Sequence, residues 1–166
     1  MIITLARIDD RLIHGQVTTV WSKEANADRI IVVSEEVYRD GIRKTLLKQA
    51  APPGMKVNIV DVPKATAVFN NPKYADDKVF YLFTNPTEAL ELVRSGVPIP
   101  VLNIGGMQFK EGKKQVTKAI SLNQQDVESF RALAKEGVKL DLRVVKTDPS
   151  GDIIAKINDA FGPEKE

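Results

Sequence analysis

The chain contains one histidine, His14, and it stands behind four charged residues, Arg7, Asp9, Asp10 and Arg11, and in front of Gly15 and Gln16. An imidazole titrates near pH 6.5, so at neutral pH one ring nitrogen is a nucleophile while the other donates a hydrogen bond. Such a ring can accept a phosphoryl group without a separate base. Arg11, three residues earlier, would offset the charge the phosphoryl group brings, and Gly15 would let the backbone approach it closely. Asp9 or Asp10 would orient the ring or hold an arginine, and the sequence does not divide these two tasks between them. The plainer reading is a satisfied polar residue at a helix N-terminus with surface ion pairs around it. Against it stands the charge density, because a short strand-to-helix connection needs only a few small residues.

Whether this loop can act depends on the elements that carry it. Short β-branched runs at Ile2–Ala6, Arg29–Val33, Lys56–Val60, Val79–Phe83, Pro100–Ile104, Lys118–Leu122 and Asp141–Val145 alternate with segments of helical period. That alternation predicts a single-domain, doubly wound α/β fold: a mostly parallel sheet of about seven strands with helices on both faces. Val17, Val20, Trp21 and Ala25 form one apolar stripe, and Val127, Phe130 and Ala134 another. Asn85-Pro86-Thr87-Glu88 and Asn123 with Asp126 read as helix starts, Gly96 and Gly137 as helix ends. The domain is expected to span residues 1–162, with 163–166 as a tail. In such sheets ligands bind at the carboxyl ends of the strands, which is where the His14 loop lies. Thr84 and Asn85 after the fourth strand, and Gly105 and Gly106 after the fifth, should open on the same edge as further phosphate donors, although Asn85 is equally a helix cap and the glycine pair equally a turn.

Composition narrows the function classes. With 24 basic against 22 acidic residues the net charge is only +2, so bulk charge does not argue for nucleic acid. No apolar run approaches the roughly 20 residues of a membrane helix, and the start lacks a secretory pattern, so a cytoplasmic protein is expected. One histidine and no cysteines leave only carboxylates as metal ligands, so neither a metal nor a cofactor is expected.

The segment Arg7-Ile8-Asp9-Asp10-Arg11-Leu12-Ile13-His14-Gly15-Gln16-Val17, together with Asn103-Ile104-Gly105-Gly106-Met107, resembles the IIB subunits of the mannose/fructose/sorbose family of sugar phosphotransferase systems. The likeness extends over essentially the whole chain. It implies a phosphoryl carrier in which His14 receives the group from a histidine of a IIA partner and passes it to a sugar held by membrane IIC and IID subunits, with Arg11 stabilising the phosphoryl group. Lys110, Lys113 and Lys114, with Arg7, would steer the acidic donor. A competing reading is a receiver-like signalling domain phosphorylated on Asp61, with Asp9 and Asp10 binding magnesium and Thr84 alongside. It lacks the lysine expected after the fifth strand and leaves Arg11 and His14 unexplained. A third is a non-catalytic module using the same loop as an anion nest.

Overall fold

The computed structural model describes residues 1–165, the side chains of Gln16 and Val17 excepted. Six parallel strands form one sheet in the order β3-β2-β4-β1-β5-β8: Lys56–Val60, Arg29–Val33, Lys78–Phe83, Ile2–Asp9, Val101–Gly106 and Lys139–Leu142. The expected seventh strand is not part of it. Ile120–Leu122 (β7) instead pairs antiparallel with Lys114–Thr117 (β6) as a separate hairpin. The strand expected at Asp141–Val145 starts earlier and ends at Leu142, because the carbonyls of Arg143 and Val144 turn toward the Arg7 guanidinium.

Period-two alternation divides the strands between two cores. Ile30, Val32, Phe80 and Leu82 pack with Trp21, Val37 and Leu47 under α1 (Gly15–Ala25), α2 (Glu35–Tyr38) and α3 (Gly41–Gln49). Ile31, Val33, Tyr81 and Phe83 face the other way, with Ala65, Leu92, Phe130 and Ile157 from α4 (Val62–Phe69), α5 (Pro86–Arg94), α6 (Gln124–Lys135) and α7 (Ile153–Phe161). The expected caps are in place: Asn85 accepts from the Glu88 N–H, and Asn123 with Asp126 forms a reciprocal capping box. Two members of the expected stripes face solvent, Val20 and Ala134, while Leu133 takes the buried position in α6.

The connection after β1 runs toward β2, whereas that after β5 runs toward β8. Between their carboxyl ends the winding direction reverses, which opens a crevice. Along β1, Leu5, Arg7 and Asp9 alternate toward α1, so a guanidinium and a carboxylate occupy places where a strand of this kind normally carries apolar residues.

Candidate functional site

Strand β1 extends through Asp9, so Arg7 and Asp9 belong to the sheet and only Asp10 to Ile13 form the loop. The turn closes with the Leu12 N–H on the Asp9 carbonyl at 2.9 Å. Leu12 adopts φ +63°, a left-handed conformation that costs roughly 1–2 kcal/mol in a residue with a Cβ. Burial of its side chain, only 1% exposed in the α1-side core, holds it there. Gly15 follows at φ +47°, where a side chain would add the same strain. His14 is the N-cap of α1 in extended conformation, but its side chain makes no capping bond, so the ring is free for other work. Thr18 closes the loop, accepting from the His14 N–H at 3.1 Å and reaching the Leu12 carbonyl at 3.3 Å. Its place one helical turn after His14 was the only sequence signal for that part.

Asp9 is the hub. Its Oδ2 lies 3.1 Å from His14 Nε2, 3.1 Å from Arg11 Nη2 and 3.2 Å from Arg7 Nη2. Its Oδ1 accepts from Arg11 Nε at 3.1 Å and from the Arg11 backbone N–H at 3.2 Å. Burial alone would push this carboxyl up. The hydrogen bonds from Arg11 and His14 and the charges of Arg7 and Arg11 outweigh it, and Asp9 titrates below the ordinary carboxylate range. The fork to Asp9 raises the pKa of Arg11 in turn. Asp10, expected beside Arg11 and His14 at the catalytic centre, does not touch the ring. Its Oδ2 accepts from the Gln108 N–H at 2.8 Å and ties the β5–β6 loop to the site, and burial raises its pKa.

Arg7 is 2% exposed and cannot steer a partner in solution. Its guanidinium binds Asn103 Oδ1 at 2.5 Å and the carbonyls of Arg143 and Val144 at 3.3 and 3.1 Å, and it lies 4.8 Å from the Trp21 ring centre. Trp21 Nε1 donates to the same Val144 carbonyl. Burial lowers the Arg7 pKa, with Asp9 opposing. Of the lysines, Lys113 is paired with Asp126 at 3.2 Å, so its charge is largely compensated, while Lys114 is exposed and donates to the Ala160 carbonyl.

The glycine pair serves this cluster from within β5 rather than from a loop. Ile8 pairs with Ile104 and Asp9 with Gly106, so Gly105 is the extra residue of a bulge. A Cβ on Gly105 would lie 2.0 Å from Arg7 Cζ, and one on Gly106 3.1 Å from Asp9 Oδ1. Gly105→Ala therefore evicts the guanidinium from its cage and is expected to destabilise the fold by about 1–3 kcal/mol, read by urea unfolding. A Gly106→Ala exchange should cost less. Thr84 and Asn85 reach the same edge but stay outside the cluster. Asn85 bonds Thr84 and Glu88, and both line a cleft of about 270 Å³ with Asp10 and Lys110. The Gln16 side chain, expected among the loop ligands, lies outside the described residues.

The receiver-like reading fails on strand order. Asp61 follows β3, three strand spacings from β1 or roughly 14 Å, too far to share an ion with Asp9 or Asp10. Its carboxylate caps α4 at the Lys64 N–H.

The fold is a doubly wound α/β domain that presents one imidazole between a buried carboxylate and an arginine at the switch point of its sheet, where sheets of this class place their ligand sites. Residues 3–164 match the family model described as PTS system sorbose subfamily IIB component, and the chain belongs to that family, the phosphoryl carriers of sugar-uptake phosphotransferase systems that work with IIA and membrane IIC/IID components. It is 75% identical over 164 residues to the sorbose-specific EIIB component of Lacticaseibacillus casei, covering 99% of this chain and 100% of that one. Against the mannose-specific EIIAB component of Escherichia coli K12 it is 55% identical, covering 95% of this chain and 50% of the relative. The crystal structure of the IIBSor domain of the sorbose permease from Klebsiella pneumoniae superposes with a TM-score of 0.94 at 65% identity, covering 96% of this chain and 98% of that one. Among the described residues no helix is long and apolar enough to cross a membrane.

Proposed function

We propose that His14 carries the phosphoryl group, and that it does so on Nδ1. The observation that carries this reading is the 3.1 Å contact of Nε2 with a buried carboxylate held in its charged form. A deprotonated Asp9 can only accept, so Nε2 keeps the proton and Nδ1 keeps the lone pair. Nδ1 has no hydrogen-bond partner among the described residues. In the first half-reaction this lone pair forms the new N–P bond as the N–P bond of a IIA phosphohistidine breaks. In the second, a sugar hydroxyl oxygen forms the O–P bond, the Nδ1–P bond breaks, and the hydroxyl proton is released to solvent. The ring ends as it began, neutral with Nε2 protonated. Two guanidiniums meet the one carboxylate that touches the ring, and Arg11, 40% exposed with Nη1 uncommitted to Asp9, is the cation nearest solvent and the group that would meet the phosphoryl oxygens.

The acceptor sugar is held by membrane IIC and IID subunits, at whose cytoplasmic side the carrier docks without inserting. The chain is then one component of a protein-N(π)-phosphohistidine–sugar phosphotransferase. Identity to the sorbose-specific relatives supports sorbose as the sugar, against 55% identity to the mannose-specific and 45% to a fructose-specific relative.

Incubation with phosphorylated IIA tests the reading. The bound phosphate should be lost in acid, survive base and resist hydroxylamine, and ¹⁵N NMR of the labelled chain should show the perturbed nitrogen to be Nδ1. Cleavage by hydroxylamine would mean an acyl phosphate and overturn the proposal; a signal at Nε2 would overturn the assignment of the nitrogen.

A further inference from the structure

Phe109 is the one aromatic ring among the described residues that stands in solvent, 67% exposed, on the loop leading out of β5. Leaving a Phe unburied forgoes about 1.5–3 kcal/mol, and Phe109 does not stand alone: Met107, Ala119 and Val144 line the same cleft, and apolar surface rimmed by polar residues marks a contact site. The loop that displays it is pinned. The Gln108 N–H is held by Asp10, the Met107 N–H donates to the Ala119 carbonyl at 2.9 Å and the Ser121 N–H to the Met107 carbonyl at 2.8 Å. A ring carried by a fixed backbone has less conformational entropy to lose on docking than one on a loose loop. Phe109 shares a cleft of about 380 Å³ with Arg11, Lys118 and Val144, and Arg11 is itself forked onto the carboxylate that holds His14. The apolar surface is thus continuous with the phosphoryl centre, and exposed Val145 follows Val144 on the far side.

Charge selects the partner. Arg11 and Lys118 line this cleft, and Lys118 has no ion-pair partner among the described residues; Lys110, next to Phe109 in sequence, lines the neighbouring cleft with Asp10. Before transfer the phosphoryl charge is on the donor and the carrier's surface is uncompensated; after transfer the phosphate on His14 neutralises that surface from within. Electrostatic complementarity is therefore greatest toward the phosphorylated donor.

We propose that Phe109 is the anchor with which the phosphorylated donor protein docks beside His14, with Arg11 and Lys118 as its cationic rim. The inference rests on the proposed role of His14 and adds the contact that recruits the donor.

Phe109→Ala tests it, with phosphorylated IIA of the same transport system as donor and phosphoramidate as a small donor that needs no docking. The variant should lose about tenfold to thirtyfold in kcat/KM with the protein donor, chiefly through KM, while phosphoramidate still labels His14 at the wild-type rate. An unchanged melting temperature would exclude a folding defect. A rate with IIA within twofold of wild type overturns the anchor while leaving the carrier reading intact, and so does a defect confined to transfer from the phosphorylated carrier to sugar. A wild-type chain that takes no label from IIA overturns both.

Discussion

His14→Asn should abolish phosphoryl acceptance while leaving the protein as stable as the wild type. No nucleophilic nitrogen remains in the variant, and no second histidine exists to substitute. The stability expectation follows from the cap. His14 is the N-cap of α1 in extended conformation, yet its side chain caps nothing. Asparagine is among the preferred residues there, and a working cap contributes about 1 kcal/mol. Against this stands the lost bond from imidazole to the charged Asp9, about 1.5–3 kcal/mol before the share that Arg7 and Arg11, bonded to the same carboxylate, make good. The terms nearly cancel, so the melting temperature should stay within about 4 °C of wild type. Retained labelling by phosphorylated IIA would place the phosphorylation site elsewhere. A large drop in melting temperature would mean that the imidazole is a structural part of the loop.

Asp9→Ala is the most destabilising exchange the site predicts. It removes the one carboxylate that, among the described residues, meets the buried Arg7 guanidinium and leaves a charge in the core, which costs about 3–5 kcal/mol. For a chain of this length that lowers the melting temperature by about 10 °C. Transfer should fail in what remains folded, because neither the ring tautomer nor the Arg11 fork is held. Asp9→Asn keeps shape and one acceptor, so it should cost less stability while still impairing transfer. A pH series separates charge from shape. The Asp9 pKa lies lower in the folded chain than in the unfolded one. Its stabilisation is therefore complete above the ordinary carboxylate value near 4 and fades as pH falls through the depressed folded value. The difference in unfolding free energy between wild type and Asp9→Asn, measured in urea from pH 7 downward, should shrink over that acid window. A constant difference would show that the carboxylate's charge is not what stabilises the site.

Much of the site was legible because its chemistry is local. His14, Arg11, Asp9 and Gly15 fall within seven positions, and only a few arrangements of those groups place a nucleophilic ring against a stabilising cation. The caps at Asn85 and Asn123 were legible for the same reason, since a side chain three residues from its acceptor needs no tertiary information. Alternation of β-branched and helical segments sufficed for a doubly wound sheet, because buried parallel strands need covering on both faces.

What the tertiary structure alone decided is which carboxylate does which work. Asp9 and Asp10 are neighbours of one type, but β1 runs three residues farther than the expected Ile2–Ala6, and the strand's period of two sends Asp9 inward to Arg7 and His14 and Asp10 outward to Gln108. Arg7 looked like a surface cation because nothing adjacent in sequence reveals Asn103, the carbonyls of Arg143 and Val144, or Trp21. Only the β5 bulge at Gly105 and the bend after β8 bring these together. Residue type and short spacing determined that a histidine here would face a cation and a carboxylate. Contacts across some hundred residues determined what Arg7 and Asp10 bind, since long-range strand order cannot be inferred from local periodicity.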